Sequence, residues 1–152
     1  MFKIFTVLGT RPEIIKLSRI INIFDKYFNH KVIHTGQNFD YELNQIFFKE
    51  LQIRKPDLYL NCAKKTSVET ISEILVKFEK LILKDRPDAI FVLGDTNSAF
   101  ASLAAKKIKF PFFIMRLEID ALIIMSPRRL IEKLLIIFQI SILLIQKSRN
   151  KI

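Results

Sequence analysis

Three short stretches carry residue types that could act on a substrate. In "GTRPEIIK" (residues 9–16), Arg11 stands at the mouth of a helix that Pro12 can open, and Lys16 lies within that helix. Free backbone N–H groups and the helix dipole favour an anion at such a mouth. Both cations suit a diphosphate, although the same spacing also fits two solvated cations. The stretch is neither a dinucleotide fingerprint, GxGxxG, nor a P-loop, GxxxxGK[ST]. In "HTGQNFD" (residues 34–40), His34, Gln37, Asn38 and Asp40 surround a turn. His34, at a strand end, suits either acid–base work or a structural hydrogen bond. In "LGDTNS" (residues 93–98), Asp95 follows a strand and a glycine where the next helix opens. A carboxylate there can act as a general base, bind sugar hydroxyls or cap the helix.

These corners need elements that bring them to one place. "FKIFTVL" (Phe2–Leu8) is an apolar run rich in β-formers and reads as a buried strand closed by Gly9. Ile14, Leu17, Ile20, Ile21 and Phe24 repeat at helical spacing, predicting a helix over Glu13–Phe28. A second strand is expected at Lys31–Gly36, a helix at Asp40–Ile53 with Asp40 as N-cap, and a short strand at Pro56–Leu60. Ile71, Ile74, Leu75, Phe78, Leu81 and Ile82 line one face of a long helix, capped by Thr66 or Ser67 and ended by Pro87. Ala89–Gly94 predicts another buried strand, Ser98–Lys107 a helix of small residues, and Phe110–Met115 a last strand. Apolar strands alternating with helices predict a Rossmann-like, doubly wound α/β domain whose parallel sheet is covered on both faces. Ligands bind beyond the carboxyl ends of such strands. The three glycines, Gly9, Gly36 and Gly94, each sit at one of these ends.

Composition narrows the field. A chain of 152 residues fits one domain, and 50% apolar content with 14 Phe opposes disorder. The single cysteine, Cys62, can form neither an intramolecular disulfide nor, alone, a cysteine-based zinc site, and it fits a reducing cytoplasm. No metal site is expected. No secretory signal opens the chain, and the most apolar segment, Leu134–Ile145, is broken by Gln139 and Ser141, so no membrane span is expected. The net charge of +10 is scattered, and no nucleic-acid-binding signature accompanies it. Nucleic acid is therefore not the expected partner.

"VLGTRPEIIKL", "HTGQNFD", "PDLYLN" and "VLGDTNSAFASLAA" resemble, in order and spacing, the amino-terminal half of the non-hydrolysing UDP-N-acetylglucosamine 2-epimerases. The resemblance covers Met1 to about Phe113. It implies the amino-terminal domain of a two-domain, glycosyltransferase-B-like enzyme that interconverts UDP-N-acetylglucosamine and UDP-N-acetylmannosamine. Such an enzyme eliminates UDP to give a 2-acetamidoglucal, then re-adds it after protonation on the other face of C2, with no redox cofactor. Carried over by motif, Arg11 holds the diphosphate, Lys16 lies near the phosphates and the reacting sugar, and Asp95 is an acid–base candidate. Gly9 and Gln37 join them as substrate-binding positions, and the parent family is expected to be homodimeric. Hydrolysing epimerases or glycosyltransferases of this fold, and a basic fragment binding a polyanion or a protein, are the alternative readings.

The resemblance stops near Met115. Where the family continues with a His-Met-Glu-Ala-Gly segment, this chain has Ile114 in place of the histidine and Arg116 in place of the glutamate. Codons for "MRLEIDALIIMSPRRLIEKLL" can be chosen so that one restored base gives MEAGNRCFDYNVPEEINRKII in the neighbouring frame. "IIFQISILLIQKS" likewise gives DHISDINFTYTEK, the family's own pattern. Residues 1–115 are thus expected to form the epimerase domain, and residues 116–152 a frameshifted tail, with the carboxyl-terminal domain absent and the chain inactive alone. Nucleotide sequencing across the Met115 codon tests this. A second-domain reading should follow in another phase, whereas relatives sharing Arg116 onward in an unbroken frame would overturn it.

Overall fold

A computed structural model describes residues 2–37, 48–94, 96–107 and 112–115. The chain divides into two units, Met1–Arg116 and Leu117–Ile152, and every described element belongs to the first. The apolar run predicted to open the chain forms β1 (Lys3–Leu8), with only Lys3 not fully buried. The amphipathic helix α1 (Arg11–Tyr27) follows, then β2 (Asn29–His34), β3 (Leu58–Tyr59), α2 (Ser67–Asp85) and β4 (Ala89–Leu93). A 3-10 turn (Asn97–Phe100), α3 (Ala101–Lys107) and β5 (Phe112–Met115) complete the described chain.

The strands pair in parallel in the order β3-β2-β1-β4-β5. The chain therefore builds outward from β1 in one direction through β2 and β3, then returns to β1's other side with β4. That reversal is the topological switch point of a doubly wound sheet, where a crevice opens past the strand ends. On one face Phe5, Val7, Ile33, Ile90 and Val92 pack against Ile74, Phe78 and Ile82 of α2 and Ala101, Ala104 and Ala105 of α3. Alternation turns Phe91 to the other face. There Phe24 of α1 meets it edge to face, with centroids 5.3 Å apart, and meets His30 at 5.4 Å.

The amino end of the sheet is fastened by charge. His30 Nδ1 lies 2.6 Å from Asp25 Oδ1, and its Nε2 lies 2.8 Å from Thr6 Oγ1. Arg54 donates to both oxygens of Asp25, to Asp57 and to the His30 carbonyl. Burial pushes the His30 pKa down, and Asp25 opposes that shift. This network joins α1, β1, β2 and the approach to β3 at the end remote from the three glycines.

Several boundaries differ from expectation for local reasons. Helix α1 starts at Arg11 because Thr10 serves as its N-cap and Pro12 tolerates the first turn. Strand β2 begins at Asn29 because the Asn29 N–H already bonds to the Phe2 carbonyl at 2.9 Å. Strand β3 is only two residues long. Helix α2 is closed by Thr66 and Glu69 in a reciprocal capping box and ends at Arg86, whose φ of 45° leaves the helical region ahead of Pro87. Of the helix expected at Asp40–Ile53, residues 48–50 are helical and Gln52 takes φ 52°. Its proposed cap, Asp40, lies outside the described residues. The helix expected at Ser98–Lys107 instead opens as the 3-10 turn, because the polar side chains there engage in local bonds.

Phe24 is the aromatic hub of the α1 face, so Phe24→Ala should cost about 3–5 kcal/mol in chemical denaturation. Tyr27→Ala, at a side chain 47% exposed, should stay within about 0.5 kcal/mol. Equal losses would contradict this packing.

Candidate functional site

At the carboxyl end of β1 the backbone passes close to the loop that follows β2. The Thr35 N–H bonds to the Leu8 carbonyl at 2.8 Å. A Cβ placed on Gly9 would fall on Thr35 Oγ1 and within 3.1 Å of Gln37 Cδ. Gly9 is thus required by close approach, and it stands against Gln37. Gly36 answers a different need: its φ is +61°, and a Cβ there would meet the Asn61 backbone at 3.0 Å.

The side chain that organises this edge is Glu13, which is 0% exposed. Its Oε2 accepts from the Gly9 N–H at 2.8 Å, the Thr10 N–H at 2.9 Å and the Thr10 hydroxyl at 3.0 Å. Its Oε1 accepts from the Thr96 hydroxyl at 2.6 Å and from the Ser98 hydroxyl. One carboxylate therefore joins the turn after β1 to the loop after β4. Together with the Gly9–Gln37 approach, it brings the corners at Gly9, Gln37 and Thr96 to one rim.

The sequence reading did not single out Glu13, Thr96 or Ser98. A signal was available: threonine followed three residues later by glutamate is the capping-box pattern. The glutamate sits in the first turn of α1, where the dipole stabilises a negative charge. It also occupies the Gly9 and Thr10 amides. An incoming anion at this helix mouth thus meets fewer open backbone donors and depends more on side-chain cations.

Arg11 and Lys16 are both half-buried on α1. Five residues of helix set their Cα atoms about 140° apart around its axis, and only their long side chains could bring both cations to one ligand. Asp95, like Asn38 and Asp40, lies outside the described residues, but its neighbours Gly94 and Thr96 are on the rim. His34 is 1% exposed, and its Nδ1 accepts the Gly36 N–H at 3.0 Å. The neutral ring then carries its proton on Nε2. Burial pushes its pKa down to about 4, so it is uncharged near neutrality and unsuited to act as a general base there. His34 Nε2, Thr35 Oγ1 and Gln37 Oε1 are buried with no hydrogen-bond partner among the described residues. No cluster of metal-ligating side chains occurs among the described residues, and no described helix is long and apolar enough to cross a membrane.

The His34 environment has a pH consequence. A histidine whose pKa falls from 6.5 unfolded to about 4 folded contributes stability that is complete above pH 6.5. That contribution is lost as pH drops toward 4, by about 3 kcal/mol in all. His34→Asn, which can still accept the Gly36 N–H, should flatten the stability profile between pH 6.5 and 4. A profile parallel to that of the unsubstituted protein would contradict this burial.

Comparison with known proteins gives this geometry a lineage. The family model described as UDP-N-acetylglucosamine 2-epimerase matches residues 23–113. The UDP-N-acetylglucosamine 2-epimerase of Rickettsia bellii superposes with a TM-score of 0.68 at 46% identity, over 75% of this chain and 30% of that one. The Methanocaldococcus jannaschii UDP-GlcNAc 2-epimerase, solved with UDP-GlcNAc and UDP, gives 0.68 at 40% identity, over 73% and 31%. A UDP-2,3-diacetamido-2,3-dideoxy-D-glucuronate 2-epimerase of Pseudomonas aeruginosa is 39% identical over 112 residues, 72% of this chain and 32% of that protein. The chain thus spans about three-tenths of the length of the relatives it matches. Its parallel α/β sheet is shared with these structures, and the chain belongs to the UDP-N-acetylglucosamine 2-epimerase family.

Proposed function

We propose that this chain supplies the amino-terminal, diphosphate-facing half of a site for 2-epimerisation of a UDP-sugar. The observation that carries the reading is the Glu13 bridge, which joins the turn ahead of Arg11 to Thr96, at the switch point where open α/β sheets bind ligands. In this reading Arg11 holds the diphosphate and Lys16 lies near the phosphates and the sugar. Gly9 lets the ligand and the Gln37 loop approach the backbone closely. Asp95 takes or returns the proton at C2. Loss of that proton with departure of UDP gives a 2-acetamidoglucal. Protonation of the opposite face, with UDP re-added at C1, gives the epimer, so nothing is oxidised or reduced overall and no redox cofactor is needed.

UDP-N-acetylglucosamine is the sugar nucleotide favoured by the family match. A second reading comes from the Pseudomonas aeruginosa relative, whose name specifies a diacetamido uronate. The relatives' names share the UDP and the 2-position, while the substituents at the other sugar carbons differ between them. Placement in the cytoplasm and assembly as a homodimer belong to the same reading, the second through family resemblance.

Residues 116–152 are read as a frameshifted tail. The end of the family match at residue 113 supports this. Such a tail puts Arg116 where the family carries a glutamate, which reverses the local charge. The 152-residue chain should therefore bind UDP weakly and turn over no UDP-N-acetylglucosamine. In a UDP titration, Arg11→Ala should weaken binding about tenfold, the equivalent of about 1.4 kcal/mol. Equal binding by Arg11→Ala, or formation of UDP-N-acetylmannosamine by the chain alone, would contradict the proposal.

A further inference from the structure

We infer that Glu13 is a positioning residue that couples the two halves of the crevice, so that the turn at Gly9–Thr10 and the stretch holding Thr96 and Ser98 keep one geometry together. The inference rests on the proposed UDP-sugar site and adds to it a residue that does no chemistry itself. Strands β1 and β4 are paired in register as far as Val7 and Val92. Beyond that point the chains part toward opposite sides of the switch. Across the gap, Glu13 Oε2 holds the Gly9–Thr10 turn and Glu13 Oε1 holds Thr96 and Ser98. With both protons directed at the carboxylate, the two hydroxyl oxygens still lie only 2.6 Å apart, so the β4 loop meets Glu13 as one unit.

The same inventory excludes Glu13 from the chemistry. A carboxylate offers about four lone-pair sites. Three donors converge on Oε2 and two on Oε1. No site is left for a substrate hydroxyl, and protonating the group would displace a donor it already holds. With the side chain wholly buried, its work is geometric. A helix cap alone would need only the Gly9 and Thr10 contacts. The contacts to Thr96 and Ser98, more than eighty residues away in sequence, are the part that a cap does not explain.

The test reads one loop while altering the other. In the double variant Thr96→Val/Ser98→Ala of the full chain, Glu13 keeps its backbone partners and loses the β4 loop. Coupling predicts that hydrogen exchange at the Gly9 and Thr10 amides accelerates by about tenfold or more, while the capped Glu69 amide of α2 is unchanged. If Glu13 is a cap only, Gly9 and Thr10 exchange stays within about twofold, and the inference fails. Glu13→Gln supplies the rescue. Its carboxamide oxygen can take the place of Oε2, and its NH2 can donate to hydroxyls that rotate to accept. It should match the unsubstituted protein in exchange, whereas Glu13→Ala should not. Should Glu13→Ala fail to fold, the double variant and Glu13→Gln still decide. UDP titration of the same proteins separates the two proposals. Coupled exchange without UDP binding defeats the site and leaves the bridge. UDP binding with Gly9 and Thr10 exchange and affinity untouched by the double variant defeats the bridge.

Discussion

A buried carboxylate is costly unless its lone pairs are filled, and here the filling is done by two different stretches of chain. Glu13 is shut off from bulk solvent. It is satisfied only when the turn after β1 and the loop after β4 are both in place. The need to satisfy one charge thereby fixes the shape of the crevice, since neither loop can drift without leaving that charge short of donors. The dipole of α1 contributes in the same direction, because the group lies in the first turn of the helix.

The rest of the domain serves to make that corner rigid. One face of the sheet is closed by α2 and α3 through aliphatic and small side chains, the other by α1 through Phe24. The His30–Asp25–Arg54 network ties the opposite end of the sheet. The two ends differ in kind. At the amino end, charges pair with one another. At the carboxyl end, His34, Thr35 and Gln37 keep buried polar atoms without partners among the described residues, and a carboxylate binds loops rather than a cation. That contrast agrees with function residing at the carboxyl end of the strands.

Much of this was legible in the sequence because the strands are short, apolar and punctuated by the three glycines. The spacing of Ile14, Leu17, Ile21 and Phe24 marked α1, and Thr66 with Glu69 marked the start of α2. Gly9 and Gln37 lie close together for a reason no one-dimensional pattern contains: the nearness of Thr35. Glu13 went unnoticed because its role depends on partners at 96 and 98, and contacts at that separation leave no periodic trace. Thr10 and Glu13 did carry a local capping signal, which reports the helix start but not the bridge. The length of β3 and the 3-10 opening before α3 were also hidden; at the latter the local Thr96–Ser98 contact is joined by bonds to distant Glu13, which no propensity reports.

The central claim is that three loops form one ligand-facing rim. It is tested most directly by mapping amide chemical shifts as UDP is added to the isotopically labelled chain. The account predicts that the perturbed amides cluster at Gly9–Arg11, Gln37 and Gly94–Thr96. Perturbations gathered instead around Asp25, His30 and Arg54, or none at a saturating concentration of UDP, would contradict it.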